Sequence, residues 1–213
     1  MDFIDEKIDE YVVKHTSKEP KLLYQLNRET YMKVLQPRML SGHLQGRVLS
    51  MLSKMIRPKR VLEIGTYTGY SAICLAEGLV ENGQLHTIDK NEEQEGFVQG
   101  FIDKADFSDK IFQHIGNALE IIPKLKEDWD IVFIDADKEN YINYYNLVIP
   151  SLKSGAYVIA DNVLWSGKVL DDYDNLDEET KVLVDYSKFI QEDERVENVL
   201  FPIRDGLNIA RVK

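Results

Sequence analysis

RVLEIGTYTGYSAICLA, residues 60–76, passes from a short apolar run through a glycine-bounded turn into a longer apolar stretch. Residues 60–64 have the length of a buried strand, and the segment from about 69 to 80 has that of a helix. Gly65 and Gly69 flank the change of direction, where the lack of a Cβ lets another group approach the backbone closely. A strand turning tightly into a helix is the first half of a βαβ unit, and the chain repeats it. Further strand-like runs fall at 84–88, 111–115, 129–134 and 156–160, separated by helix-length segments at 91–105, 117–126 and 139–152. That alternation predicts an α/β fold built on a mostly parallel sheet with helices on both faces. The tail departs from it. A helix over 177–193 leads to RVENVLFPI and LNIARVK, parted only by Arg204, Asp205 and Gly206, a spacing that predicts an antiparallel C-terminal hairpin. Upstream, residues 2–15, 21–36 and, past Pro37, 43–56 carry apolar residues near helical spacing and read as extra N-terminal helices.

At 213 residues the chain is read as one domain, 1–213, with N-terminal helices over 1–56 and the core over 57–213. No apolar run reaches the ~18 residues of a membrane span. The acidic, amphipathic MDFIDEKIDEYVVKH is unlike a secretory or organelle leader. A single cysteine, Cys74, rules out an intrachain disulfide and suits the reducing cytoplasm; within SAICLAEGL it reads as a small buried hydrophobe. His15, His43, His86 and His114 lack the spacing of zinc ligands. A net charge of −11 opposes a polyanionic partner, so nucleic acid is disfavoured but left open.

In open parallel sheets ligands bind outside the carboxyl ends of the strands, so the residues there are the ones to read for chemistry. After the first strand, the spacing is GxxxG rather than the GxGxxG of dinucleotide sites. Glu63, just before the first glycine, would repel a pyrophosphate and suits an ammonium or sulfonium group. After the second strand, Asp89 is placed either to accept hydrogen bonds from ribose hydroxyls or to cap the segment from Asn91. After the third, Asn117 can bond an adenine edge, cap a helix, or both. The fourth and fifth strands deliver Asp135, Asp161 and Asn162, hard oxygen donors suited to Mg²⁺ or Ca²⁺; the alternative is a helix cap and a turn. Lys138, at the start of the next helix, stands where the macrodipole is unfavourable to a cation. It reads as a general base or as a surface lysine paired with Asp137 or Glu139.

The stretches VLEIGTYTGYSAICLA, FIDADKENYINYY, ADNVLWSGKV and DGLNIARVK, with QPRMLSGHLQGRVLSML upstream, resemble the class I S-adenosylmethionine-dependent O-methyltransferases. The closer resemblance is to their cation-dependent group, which includes catechol and caffeoyl-CoA O-methyltransferases and bacterial relatives. It implies a Rossmann-like sheet of seven strands ending in the antiparallel hairpin, with the N-terminal helices covering the active site. It implies S-adenosylmethionine held by Met39, Ser41, Glu63, Gly65, Tyr67, Ser71, Asp89, Asn117, Ala118 and Asp135. The divalent cation, Mg²⁺ or another, would be held by Asp135, Asp161 and Asn162. Lys138 would be catalytic, with Tyr141 and Trp165 beside it at the substrate. The acceptor implied is a small catechol-type phenolic such as caffeate; a caffeoyl-CoA-type ester or a tRNA hydroxyuridine is the alternative, and a nucleotide-binding oxidoreductase is further off. The acidic stretch at 171–179 and the lack of a basic cluster argue against a CoA ester. Residues 166–176 are expected as a mobile loop beside the substrate, Arg204 as a surface residue or, alternatively, a contact to a substrate carboxylate, and the chain as a homodimer.

Overall fold

Seven strands form one sheet: β1 (Arg60–Ile64), β2 (Gln84–Asp89), β3 (Ile111–Ile115), β4 (Ile131–Ile134), β5 (Tyr157–Asp161), β6 (Val196–Phe201) and β7 (Leu207–Val212). Their order is β3-β2-β1-β4-β5-β7-β6 in the computed structural model, which describes residues 5–213. The first five strands run parallel; β7 is inserted antiparallel between β5 and β6, which makes it the one reversed strand of the sheet. The order reverses at β1, whose neighbours β2 and β4 continue in opposite directions. A crevice opens at the carboxyl ends beside such a reversal.

The helices are α1 (Glu6–Lys14), α2 (Lys21–Lys33), α3 (Gly42–Ile56), α4 (Tyr70–Ala76), α5 (Glu95–Ile102), α6 (Ala118–Leu125), α7 (Tyr141–Val148) and α8 (Glu178–Glu192). Alternate strand residues divide the core into two layers. Leu62, Val132 and Val158 pack with Ile122, Tyr145 and Leu183 from α6, α7 and α8. Val61, Phe133 and Ile159 pack on the other face with Leu26, Leu49, Leu75 and Phe101 from α2, α3, α4 and α5. Both layers are apolar because a parallel strand is buried on both sides.

Several elements are shorter than their apolar patterns. The helix expected over 69–80 ends at Ala76, because the chain at Gly78 closes against the Ser53 backbone, where a Cβ would overlap it. Trp129 lies outside β4, buried edge-on to the His86 ring rather than in the strand. The helix expected over 21–36 stops at Lys33, and Gln36 takes a left-handed conformation before Pro37. Of the expected helix at 2–15, residues 2–4 lie outside the described residues. The stretch 166–176 holds 3₁₀ turns within Trp165–Leu170, kinked where Ser166 and Gly167 turn left-handed, and at Tyr173–Asn175. They are tied to α8 and its cap by Lys168–Asp177 at 2.9 Å and by the Tyr173 hydroxyl on Asp185.

Candidate active site

Gly65, at the end of β1, has φ 102°, and a Cβ there would fall on the Asp135 carbonyl. Only glycine lets the first loop lie against the end of β4. Tyr67 follows at φ 48° and donates its N–H to Asp89 Oδ2 at 2.7 Å, while Asp89 Oδ1 accepts from Asn91 N at 2.9 Å. Asp89 therefore straps the turn and starts the next one, yet still lines the cleft. Asn117 likewise combines both its readings: its side chain accepts from Leu119 N at 3.0 Å, capping α6, and it borders the cleft with Ala118. The Tyr67 hydroxyl bonds the Leu35 and Gln36 carbonyls at 3.2 Å each, which holds the segment before Met39 across the same opening.

Three residues named with this half of the site lie beneath its surface. Glu63 is fully buried under the loop, with Oε2 accepting from Thr87 at 2.5 Å and Oε1 without a partner. Burial pushes its carboxyl up to about 8. Ser71 is buried in α4, and Ser41 is buried with its carbonyl facing Arg204.

The ends of β4 and β5 meet at the other side of the cleft. Lys138, whose side chain is 9% exposed, donates from Nζ to Asn162 Oδ1 at 2.8 Å and to the Tyr141 hydroxyl at 2.6 Å. Its Nζ lies 3.6 Å from Asp135 Oδ1 and 5.5 Å from the Trp165 ring centroid. The Tyr141 hydroxyl donates to the Asp161 carbonyl at 3.0 Å; fully buried, Tyr141 braces Lys138 from below rather than lining the cleft. Asn162 sits at φ 60°, a left-handed conformation that asparagine tolerates better than most residues. The Asp161 carboxylate is buried, with Oδ1 accepting from Asn162 N at 2.7 Å and Oδ2 from Gln45 Nε2 at 2.5 Å. Burial first, and the Asp135 carboxylate second, push its acid up to about 7.

Two carboxylates and an amide oxygen thus share one pocket wall, with Lys138 as the cation against them. Among the described residues no cluster of three or more His, Cys, Asp or Glu is placed to hold a metal. The donor set suits a hard divalent cation that takes few protein oxygens and completes its sphere from elsewhere, as Mg²⁺ does. Asp137, unassigned by sequence, accepts from the Tyr144 hydroxyl at 2.7 Å and from the Asn140 amide, so it ties the loop to α7. Two cleft contacts escaped the sequence reading. Gln45 shows no motif of its own; Arg204 is exposed, as expected, but the sequence held no sign that its Nη1 bonds the carbonyls of Leu40 and Ser41.

A family model described as O-methyltransferase matches residues 13–213. The chain belongs to that family. This O-methyltransferase is 34% identical to caffeoyl-CoA O-methyltransferase 5 of Nicotiana tabacum, over 78% of its own length and 74% of the relative's. It is 36% identical to caffeoyl-CoA O-methyltransferase 1 of Eucalyptus globulus, over 78% and 72%. Among solved structures, the O-methyltransferase from Bacillus cereus in complex with SAH superposes with a TM-score of 0.87 at 27% identity, covering 97% of each chain. The O-methyltransferase from Streptomyces achromogenes involved in tomaymycin synthesis, in complex with SAM, gives 0.87 at 27%, over 97% of this chain and 96% of that one. The Rossmann-like methyltransferase fold expected from sequence is the fold of this chain, antiparallel C-terminal hairpin included.

Proposed function

We propose that the enzyme transfers a methyl group from S-adenosylmethionine to a hydroxyl of a small catechol-type phenolic, such as caffeate, in a Mg²⁺-dependent reaction. The observation that carries this reading is the convergence of Lys138, Asp135, Asp161 and Asn162 in the cleft that Gly65, Asp89 and Asn117 also line. The SAH and SAM complexes of the related enzymes support the methyl donor. Asp89 would accept from the donor's ribose, Asn117 and Ala118 would face its adenine, and the Gly65 backbone would lie along its amino-acid part. Met39 and Tyr67 would close over the sulfonium end. Glycine at position 65 lets the first loop lie against the Asp135 backbone, which sets the cofactor half of the cleft beside Asp135.

Asp135, Asp161 and Asn162 are the residues that would hold the cation, which when bound supplies Lewis-acid polarisation and orientation of the acceptor hydroxyls. Trp165 is the wall against which a flat ring would lie. Lys138 Nζ, once it has given its own ammonium proton to solvent, is the base at that ring's hydroxyl and takes its proton. The oxygen then attacks the methyl carbon in line: the O–C bond forms, the S–C bond breaks, and S-adenosylhomocysteine is released. The donor is already activated, so positioning supplies most of the acceleration.

A second acceptor has a specific observation in its favour, because the relatives with 34–36% identity are named for the caffeoyl-CoA ester. Against it stand acids around the cleft, Glu6, Asp9, Glu93, Glu179 and Asp205, which outnumber Lys33, Arg38, Lys90 and Arg204 there. They oppose the phosphates of CoA and of tRNA alike. The deciding experiment is a methylation screen with caffeate, simpler catechols, caffeoyl-CoA and tRNA, with Mg²⁺ and with EDTA. Turnover of free catechols, lost with EDTA, is expected. Turnover confined to the CoA ester or to tRNA would replace the acceptor, and activity indifferent to EDTA would remove the metal.

In this reading residues 1–56 cover the active site of a single methyltransferase domain whose core is 57–213. The enzyme is cytoplasmic, consistent with its single buried thiol, and works as a homodimer. No helix among the described residues is long and apolar enough to cross a membrane.

A further inference from the structure

Asp161 lies 116 residues from Gln45 in the chain, yet the two side chains meet in the core. Gln45 stands on the first turn of α3, buried to 1% exposure. A buried amide has a donor end and an acceptor end, and its neighbours decide which way each points. Arg204 carries only donors, so its Nη1, 3.4 Å away, faces the Gln45 carbonyl oxygen. The amide nitrogen is thereby turned to Asp161 Oδ2, while Asn162 N engages Oδ1 from the other side. Rotating this buried carboxylate would break a hydrogen bond and leave the Gln45 amide without its acceptor, which is costly. The same guanidinium bonds the carbonyls of Leu40 and Ser41, so it is anchored independently of Gln45.

We propose that Gln45, oriented by Arg204, is a positioning residue that fixes the Asp161 carboxylate for a divalent cation. The inference rests on the metal-dependent reading above. It assigns a metal-affinity role to a residue of the N-terminal region and to the turn of the C-terminal hairpin, neither of which supplies a ligand. The plain alternative is that the two side chains only pack α3 against the sheet.

Mn²⁺ binding, measured by electron paramagnetic resonance on protein without acceptor, separates the two. S-adenosylhomocysteine affinity and the thermal midpoint are read in parallel. Groups that orient a metal ligand typically contribute about 10–100-fold to affinity. Gln45→Leu is expected to weaken Mn²⁺ binding about tenfold or more while leaving S-adenosylhomocysteine affinity within about twofold. Arg204→Met should act in the same direction on Mn²⁺, and the double variant should bind Mn²⁺ no more weakly than Gln45→Leu alone, because both act through one contact. Should Gln45→Leu fail to fold, Gln45→Asn keeps a buried amide but falls short of Asp161, and carries the same expectation. Mn²⁺ binding equal to wild type in the Gln45 variants overturns the proposal alone. Parallel loss of Mn²⁺, S-adenosylhomocysteine and thermal stability also overturns it, in favour of packing. Wild-type protein that binds no Mn²⁺ overturns it together with the metal-dependent reading.

Discussion

Lys138 is a cation at the start of a 3₁₀ turn that leads into α7, where the backbone dipoles favour an anion. Its environment compensates. Asp135 lies 3.6 Å away, the Asn162 oxygen and the Tyr141 hydroxyl accept from Nζ, and the Trp165 and Tyr141 rings flank it. A side chain that served only to neutralise Asp135 could do so from solvent; this one is held with its nitrogen facing the cleft. Lys138→Met keeps the packing against both rings and removes the nitrogen. Turnover is expected to fall roughly 100-fold or more, the range typical of a lost general base, with S-adenosylhomocysteine affinity unchanged by calorimetry. An equal loss of cofactor affinity would make the lysine structural. The motif around Lys138 was legible because its residues are adjacent in the chain. The Gln45–Asp161 and Arg204–Gln45 contacts were not, because a glutamine in a helix and an arginine in a turn are ordinary there. Only the fold brings Gln45 to Asp161 across 116 residues, and Arg204 to Gln45 across 159.

At the scale of elements, β1 and β3 were read to the residue, since a short apolar run bounded by turn residues has few alternatives. Helix ends were read less well, as at Ala76 and Lys33, because they are set by tertiary contacts rather than by local pattern. The turn from β1 into α4 shows how narrow the tolerance is. Gly65→Ala would impose a Cβ on the Asp135 carbonyl in a left-handed conformation. Each fault alone costs about 1–2 kcal/mol or more. In a chain of this size each kcal/mol moves the thermal midpoint by roughly 2–4 °C. Gly65→Ala should therefore lower the midpoint by roughly 5 °C or more and weaken S-adenosylhomocysteine binding, since Gly65 and the displaced Asp135 line the same cleft. Gly96 is the matched control: it lies in α5 with nothing within 4 Å of an added Cβ. Gly96→Ala should leave binding unchanged and raise stability by up to about 1 kcal/mol through helix propensity. A wild-type midpoint for Gly65→Ala would show that the two strand ends are not locked together.

The whole molecule leaves one region of its sheet bare. Elsewhere both faces are covered, as parallel strands require. Among the described residues, however, the β5-β7-β6 end has no helix beyond α3 on the side of Ile159 and Leu207. Val199 pairs directly with Ile209 and Phe201 with Leu207, so these side chains share that face, where Val199 is 56% exposed and Phe201 40%. Met51 and Met55, one turn apart on α3, continue the apolar surface at 59% and 74% exposure, with Leu52 and Ile56 behind them. Exposed apolar side chains are ordinary when scattered, but a contiguous set flanking an uncovered sheet marks a contact surface. A second copy of the chain is the partner that fits the homodimer reading, and a two-fold axis would set the same patch against itself. Light scattering on the eluting protein should therefore give twice the chain mass. The double substitution Met55→Lys and Val199→Lys should convert it to monomer with the fold intact by circular dichroism, because two like charges per protomer would be buried against their copies. Wild-type protein that elutes as a monomer at micromolar concentration, or a double variant that stays dimeric, would put the interface elsewhere. The cleft opens on the carboxyl edge of the sheet, away from the Met55 end of α3. Methyl-transfer turnover per chain should accordingly survive in the monomer, with only its thermal midpoint reduced.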